Sequence, residues 1–343
     1  MDNRLNYSMN IFLVTSPFQY ICANEAREAY RTKNNLLILF EQNNLIGQKQ
    51  MSSLLNEQDW DRVLRYPRNK RTTITPRVIR DIKKYSKGNL NNLFYSEYCS
   101  WRSKLIIRNL AFKKHIFFDD GTMTFFDYYD HIEPKSVFYR PRWIQDFILK
   151  FSGIKPIGKL GFFENTEIFS IFHFPDCVVS YKENTLTLLK ERINSRRHQM
   201  VPHNIFIGQG SIDEKGRISI DEYLESIKSA LSHSEQSLIY IPHRTEAEHV
   251  SKEIKKLEGI IYHQPQFPIE IELIEHGFIP NEIIGLSSTA LYTLSKIYPD
   301  AKIRLIEHKY MTSSRDNRIQ SYLLDYFHNR SLPELRKSQI VRS

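Results

Sequence analysis

The chain has 343 residues, 41% of them hydrophobic and 25% charged, which excludes a disordered, collagen-like or low-complexity protein. Its length suits one large domain or two domains of about 150 to 200 residues. Lys and Arg (48) outnumber Asp and Glu (39), and the formal net charge of +9 is typical of proteins that meet nucleic acid, anionic lipid headgroups or an anionic substrate.

A strand–helix–strand pattern opens the chain. Residues 10–15 form a short apolar run, residues 18–30 follow a helical pattern, and residues 36–40 are again continuously apolar. Continuous apolar runs are typical of parallel strands buried on both faces, and this spacing fits a βαβ unit. Further strands of the first half are expected at 89–95, 115–118 and 177–180.

A second α/β alternation follows a charged helical segment at residues 183–200. Its expected strands are 204–207, 237–241, 259–263, 282–285 and 303–306, and its expected helices are 220–232, 246–257, 269–276, 288–298 and 319–327. We therefore predict two Rossmann-like domains, residues 1–190 and 200–343, which face a central cleft and join near residues 185–203.

Cysteine usage and hydropathy indicate the compartment. The three cysteines, Cys22, Cys99 and Cys177, are far apart and form no Cys-x-x-Cys motif, so we expect buried, inert thiols. Residues 1–10 are polar, unlike a signal peptide, and no apolar run reaches the ~18 residues of a membrane-spanning helix. The sequence predicts a cytoplasmic protein, with peripheral contact to the inner face of the inner membrane left open.

Polar side chains cluster where predicted strands end, which is where open parallel sheets bind ligands. The five clusters are Thr15-Ser16-Pro17, Asp119-Asp120-Gly121, Gly208-Gln209-Gly210, Pro242-His243-Arg244 and Ser287-Ser288-Thr289. Each cluster alone has a simpler explanation, such as a turn, a helix N-cap or a surface histidine. Together their chemistry is complementary and predicts an active site.

The acidic and histidine clusters predict acid–base chemistry. Two adjacent carboxylates, Asp119 and Asp120, suit a general base because one can be desolvated and its pKa raised. His243, beside a guanidinium, is placed to donate to a phosphate leaving group. Asp127 and Asp130 do not form the Asp-x-Asp motif of a metal-dependent transferase, so we expect no metal.

The remaining clusters predict contacts to an anion. Hydroxyls and free N–H groups at the start of the helix 288–298 suit a phosphate, because the helix dipole favours negative charge there. Gly208-Gln209-Gly210 is a weaker candidate for a phosphate or base contact, since a lone Gly-x-Gly is common.

Taken in order, these residues resemble three short motifs of bacterial sialyltransferases with the GT-B fold, namely glycosyltransferase family 52 and the related families 38 and 80. The acidic-acidic-Gly, His-Pro and Ser-Ser/Thr motifs correspond here to Asp119-Asp120-Gly121, His243 and Ser287-Ser288-Thr289. Residues 11–19 are similar to the start of family 52, and residues 206–209 to the opening of its nucleotide domain. One departure is that Arg244 follows His243, and the proline, Pro242, precedes it.

The resemblance implies an inverting, metal-independent and cofactor-free transfer of sialic acid, or a related nonulosonate, from its CMP-activated form. The acceptor would be a hydroxyl of a bacterial surface glycan, such as lipooligosaccharide or capsule. Asp120, or Asp119, would be the general base and His243 the general acid. The residues implied on the donor side are Gly208, Gln209, Arg244, Glu270, Ser287, Ser288 and Thr289, and those on the acceptor side are Ser16, Pro17 and Gln19.

Within this resemblance, Glu270 would bind the cytidine ribose, and Glu272 is a second carboxylate at similar spacing. The terminal helix, 319–327, is expected to pack back on the first domain. The family leaves a homodimer open.

Two other functions stay open at this point. One is a GT-B transferase that uses a UDP- or GDP-hexose or CMP-Kdo. The other is a basic nucleic-acid-binding protein, although the sequence lacks an interleaved basic and aromatic platform and a helix-turn-helix, so we expect no nucleic-acid partner. We interpret the basic stretches 62–80, 192–197 and 336–342 as solvated faces, with a minor alternative role against an anionic membrane or an acidic glycan.

Overall fold

The structure, a computed structural model, describes residues 8–174, 176–214, 217–234, 237–286, 288–306 and 321–327. The chain divides into two compact units, Met1–Thr187 and Leu188–Ser343. Each unit contains its own sheet of parallel strands, so the predicted α/β class with two Rossmann-like sheets is confirmed.

The first unit is built on a seven-stranded sheet. Its strands are β1 (Met9–Val14), β2 (Asn35–Glu41), β3 (Arg62–Pro67), β4 (Leu90–Tyr95), β5 (Lys114–Phe118), β8 (Thr166–Ser170) and β9 (Ser180–Glu183), in the order β3-β2-β1-β4-β5-β8-β9. A short hairpin, β6 (Phe138–Tyr139) with β7 (Lys159–Leu160), lies in the connection between β5 and β8. The helices are α1 (Pro17–Ala29), α2 (Leu45–Leu54), α3 (Arg71–Ser86), α4 (Trp101–Asn109), α5 (Met123–Asp127) and α6 (Trp143–Phe151).

Burial explains which strands the sequence predicts. Every residue of β1 is buried, and Phe12 stacks on Phe94 of the neighbouring β4 with ring centroids 4.2 Å apart. By contrast, β3 lies at the edge of the sheet and is mostly exposed, so it has no continuous apolar run. The strand expected at 177–180 is wrong in position: β9 begins at Ser180, and the buried β8, with its polar Thr166 and Glu167, precedes it.

The second unit has the five-stranded order β12-β11-β10-β13-β14. Its elements are α7 (Thr187–Arg196), β10 (Val201–Ile207), α8 (Ile220–Ser232), β11 (Leu238–Ile241), α9 (Glu248–Ile254), β12 (Ile260–Tyr262), α10 (Ile269–Glu275), β13 (Phe278–Leu286), α11 (Thr289–Ile297) and β14 (Lys302–Ile306). Residues 321–327 are also helical, and Tyr326 packs on Tyr292 of α11 with ring centroids 4.4 Å apart. That this helix also packs on the first unit stays a prediction.

Strand register brings the polar clusters to the sheet edges. Phe12 of β1 pairs with Phe94 of β4, and Phe94 pairs with Ile116 of β5, so the loops after these three strands start at one edge. In the second unit, Ile207 of β10 pairs with both Ile241 of β11 and Gly285 of β13, which aligns the following loops in the same way.

The expectation that all three cysteines are buried is confirmed for one of them. Cys22 is buried, whereas Cys99 and Cys177 are partly exposed, and none of the three forms a disulfide. Burial nevertheless raises the pKa of the Cys99 thiol to about 12, which keeps it protonated and unreactive. No helix in the described part of the chain is both long enough and apolar enough to cross a bilayer.

Candidate functional site

The two adjacent aspartates after β5 have different surroundings. Asp119 is completely buried; its carboxylate accepts hydrogen bonds from the Ser170 hydroxyl (2.5 Å) and the Ile171 backbone N–H (2.7 Å). Burial raises the pKa of Asp119 to about 7, although these two hydrogen bonds oppose the rise. Both oxygens of Asp119 are therefore engaged within the sheet.

Asp120 faces the other way and lines a pocket. Its Oδ1 accepts a hydrogen bond from Gln19 Nε2 at 2.8 Å, and its backbone N–H donates to the Thr124 hydroxyl at 3.1 Å. The following Gly121 has φ of +65°, a left-handed conformation that lets the chain turn sharply here. Of the acidic pair, Asp120 is the carboxylate that a ligand in this pocket can reach.

The predicted acceptor-side residues form the turn that holds Asp120. Ser16 caps α1 by accepting from the Gln19 backbone N–H (3.2 Å), and Pro17 occupies the first turn. The Gln19 amide oxygen accepts from the backbone N–H of Thr15 (2.7 Å), which leaves its NH₂ group directed at Asp120. Because Gln19 is buried, its side chain positions the carboxylate and has little room to touch a ligand itself.

The pocket beside Asp120 has a volume of about 830 Å³ and belongs to the first unit. It is lined by Gln42, Asn43, Asn44, Arg68, Asn69, Lys70, Arg71, Glu97, Cys99, Ser100, Arg102, Asp120, Met123 and Asp127. Four of these side chains are cationic. The stretch 62–80, interpreted from sequence as a solvated face, thus contributes three of the four cationic pocket residues.

The pocket cations are held to different degrees. Arg102 is buried, donates to the Arg68 carbonyl (2.8 Å) and lies 3.9 Å from the Phe40 ring centroid; burial lowers its pKa to about 10. Arg68 forms an ion pair with Glu97 at 2.9 Å. Lys70 and Arg71 start α3, where the N-cap makes no side-chain hydrogen bond. Within the described residues neither Lys70 nor Arg71 forms an ion pair, so both can meet an anion.

The basic stretch 192–197 has partners of its own, because Arg192 and Arg196 both bind the Glu275 carboxylate. The third basic stretch, 336–342, lies outside the described residues.

Four hydroxyl and carboxyl groups fix the glycine loop of the second unit. The Tyr223 hydroxyl accepts from the Gln209 backbone N–H (3.2 Å) and contacts the Tyr240 hydroxyl (3.0 Å). Tyr240 and Tyr262 both donate to the Glu246 carboxylate. A Cβ on Gly208 would lie 2.7 Å from the Tyr240 oxygen, so this position requires glycine. The network lies under the loops after β10 and β11, and no sequence motif predicts it because its members are far apart along the chain.

His243 is exposed and its tautomer follows from its neighbours. The Thr245 backbone N–H donates to Nδ1 at 3.2 Å, which assigns the proton to Nε2. The ring packs against Gly210, where a Cβ would lie 2.8 Å from Nδ1. The surrounding protein atoms and the charge of Arg244 lower the pKa of His243, so the neutral form, with an Nε2–H donor, dominates at neutral pH.

The contacts of α10 separate Glu270 from Glu272. The buried Glu272 carboxylate accepts from His263 Nε2 (2.6 Å) and two backbone N–H groups, and His276 Nε2 lies 3.0 Å from it. These three side chains are also close enough together to hold a metal ion, as are Cys99, Asp127 and His131. Glu270, also buried, has a pKa raised to about 7 by desolvation, and only its own backbone N–H and the charge of Arg244 oppose the rise.

In the cluster Ser287-Ser288-Thr289, helix capping is the role that the contacts show. Ser288 is the N-cap of α11 and accepts from the Leu291 backbone N–H at 3.2 Å, and Thr289 is the first helical residue. The hydroxyl proton of Ser288 stays available for a second acceptor. Ser287 lies outside the described residues.

The family model described as alpha-2,8-polysialyltransferase (POLYST) matches residues 10–307. Comparison with curated protein sequences gives no match.

Among solved structures, an alpha/beta-galactoside alpha-2,3-sialyltransferase from the marine bacterium Photobacterium phosphoreum is similar, with a TM-score of 0.52 and 13% identity over 93% of this chain and 95% of that chain. A glycosyl transferase of family 9 from Veillonella parvula gives a TM-score of 0.45 at 12% identity, over 94% and 92% of the two chains. The first of these similarities confirms the predicted GT-B fold; at such low identity it shows the fold alone.

The two glutamates of α10 predict opposite mutational effects. The pKa of Glu270 is about 7 in the folded protein, above its usual 4.5, so the wild type loses stability as pH rises through this range and the carboxyl group ionises. Glu270→Gln cannot ionise and should therefore become more stable than the wild type by up to about 3 kcal/mol as pH rises. Glu272→Gln should be destabilised by roughly 2–4 kcal/mol, since an amide NH₂ cannot accept from the donors now around the carboxylate.

The measurement is urea denaturation of both variants and the wild type at about pH 5 and about pH 8. Equal destabilisation by the two substitutions at about pH 8 would contradict the different surroundings of the two carboxylates.

Proposed function

The chain belongs to the alpha-2,8-polysialyltransferase family, and from this premise we propose that it moves sialic acid, or a related nonulosonate, from a CMP-activated donor to a hydroxyl of a bacterial surface glycan. The family match over residues 10–307 identifies the chain as a sialyltransferase. The observation that carries the proposal is the Asp120 carboxylate, held by Gln19 and lining a large basic pocket.

In this proposal Asp120 is the general base. It takes the proton of the acceptor hydroxyl, whose oxygen attacks the anomeric carbon of the donor sugar. The bond from that carbon to the CMP phosphate oxygen breaks on the opposite face, so the configuration inverts. Asp119 does not suit this role because both of its oxygens already accept hydrogen bonds from Ser170 and Ile171.

The second unit supplies the groups for the leaving CMP. His243 presents Nε2–H, which can donate a hydrogen bond to the departing phosphate as negative charge develops there. Full proton transfer, the general-acid role, uses the imidazolium form of His243, because a neutral ring that lost this proton would become an imidazolate. The Ser288 hydroxyl and the N-terminus of α11 suit the same phosphate. Glu270, in contrast to the fully bonded Glu272, keeps a carboxyl group that can accept from the ribose hydroxyls. Gly208, Gln209, Arg244, Ser287 and Thr289 complete the proposed donor contacts.

The charge of the first-unit pocket suits an anionic acceptor. An α2,8 linkage, as in the family description, joins the transferred sugar to a hydroxyl of another sialic acid, which carries a carboxylate. Arg71 and Lys70, at the uncapped start of α3, and the guanidinium of Arg68 line the pocket that also contains Asp120. Cationic side chains and free helix N–H groups are the partners that a carboxylate prefers.

A CMP-release assay tests the donor and the proposed independence from metal. We expect CMP release from CMP-sialic acid in the presence of a sialylated acceptor, unchanged by EDTA, because His243 in place of a cation meets the leaving group. The panel should include CMP-Kdo, UDP-hexoses and GDP-hexoses. Turnover of a UDP-sugar with none of CMP-sialic acid, or strict dependence on Mg²⁺ or Mn²⁺, would overturn the proposal.

Replacement of the base should change turnover and leave donor binding alone. Asp120→Asn should lower kcat by about 10²–10⁴ and keep the affinity for CMP, because the CMP contacts lie in the second unit. The matched control is Asp130→Asn, a carboxylate of the same segment that does not line the pocket. Near wild-type turnover in an Asp119→Asn, Asp120→Asn double variant would show that neither aspartate is the base.

Ser288 has two roles that a matched pair of caps can separate. Ser288→Ala and Ser219→Ala each remove a serine N-cap in the second unit and should cost about 1 kcal/mol of stability. Only Ser288→Ala should weaken CMP binding, and its effect should shrink for cytidine, which lacks the phosphate. Calorimetric titration with both ligands measures this, and equal losses for CMP and cytidine would rule out a phosphate contact.

A further inference from the structure

Helix α6, Trp143–Phe151, presents its apolar side to solvent. Its exposed fractions are 83% for Trp143, 75% for Ile144, 64% for Phe147, 42% for Ile148 and 79% for Phe151. At about 100° of rotation per residue these five side chains cover one arc of about 140°. Leu149, on the opposite side, is the one fully buried residue of the helix.

The orientation of α6 is the reverse of the usual surface helix, which buries its apolar face and exposes its polar one. The apolar arc is continuous: the rings of Phe147 and Phe151 contact each other with centroids 4.7 Å apart. Exposed apolar side chains of the adjacent hairpin, Val137 and Tyr139, add to the same segment. A cluster of this size on a protein surface marks a site of interaction.

The segment around α6 is also strongly basic. Residues 135–159 contain six Lys or Arg and a single acidic residue, Asp146. The Asp146 carboxylate accepts from the Arg142 backbone N–H at 3.2 Å, so it is engaged at the start of the helix. In the described part of the chain, Arg140, Lys150 and Lys155 are exposed and form no ion pair. The apolar arc therefore has cations before the helix, in its last turn beside the arc, and after the helix.

We propose that α6 docks the protein on an anionic lipid bilayer, with the helix lying in the plane of the interface. Trp143, Phe147 and Phe151 enter the headgroup–acyl boundary, and Arg140, Lys150 and Lys155 contact lipid phosphates. Tryptophan and phenylalanine on one face with Lys and Arg around them is the composition of interfacial helices, and anionic lipid attracts such clusters.

Charge argues against a second copy of this chain as the occupant. Pairing two identical faces would bring the cations of both copies together, with one engaged acidic residue on each side to offset them. The helix is also about 14 Å long, short for the roughly 800 Å² per partner of a stable interface. A bilayer supplies negative charge and needs no matching shape.

The three tryptophans give the test a built-in reporter, because Trp60 and Trp101 are buried and Trp143 is exposed. The full chain is mixed with vesicles of phosphatidylcholine alone or of an equal mixture with phosphatidylglycerol. We expect co-sedimentation with the mixed vesicles, weakened by salt, a blue shift of Trp143 emission, and quenching by brominated acyl chains.

Variants assign the binding to this helix. Phe147→Gln with Phe151→Gln keeps the reporter and should lower vesicle binding at least about tenfold. Lys150→Gln with Lys155→Gln should remove the preference for phosphatidylglycerol. The matched control, Val201→Gln with Ile261→Gln, changes two exposed apolar residues elsewhere and should bind like the wild type. CMP release toward a soluble acceptor, measured in parallel, should be unchanged in all three, which separates this proposal from the proposed function.

Two results would overturn the proposal. One is vesicle binding that survives the Phe147→Gln, Phe151→Gln substitutions, since another surface would then bind lipid. The other is absence of vesicle binding; sedimentation equilibrium would then ask whether the wild type dimerises and this variant does not, which would make the face a contact between copies.

Discussion

The carboxylate of Asp119 joins two strands of the first sheet directly beside Asp120, the carboxylate that lines the pocket. By accepting from Ser170 and Ile171 it ties the end of β5 to the end of β8, although burial raises its pKa to about 7. Successive side chains of extended backbone point to opposite sides, so fixing Asp119 inward directs Asp120 outward. Gln19 then fixes the second carboxylate from the first turn of α1. One buried acid thus sets the geometry of its neighbour.

In the second unit, tyrosine hydroxyl groups hold the loops at the sheet edge in place. Tyr240 and Tyr262 donate to Glu246, and Tyr223 joins them through the Tyr240 hydroxyl. Together these groups hold the loops after β10 and β11. A network of buried, mutually bonded groups is costly to rearrange, because each lost partner leaves an unsatisfied polar atom. Both units therefore hold the loops that carry the proposed ligand contacts with hydrogen-bonded polar side chains.

Hydrophobic patterning predicted the strands that are buried on both faces, such as β1, β5 and β10, and failed for the exposed edge strand β3. The same patterning predicted the strand ends that the five polar clusters follow. It could not divide the roles of Asp119 and Asp120, or of Glu270 and Glu272, because the division depends on Ser170, His263 and His276, which come from other elements. Helix α6 was missed because its apolar period is that of a core helix, and the sequence does not state which side faces inward.

The contact between Gly210 and the His243 ring links two loops that are 33 positions apart. A methyl group on residue 210 would collide with Nδ1 of the ring and with the Thr245 hydroxyl oxygen, each 2.8 Å away, while leaving the backbone unstrained. Alanine at 210 becomes acceptable only when residues 243 and 245 are both small. In relatives, these three positions should therefore vary together, and a sequence that loses both the histidine and the threonine should be free to lose the glycine.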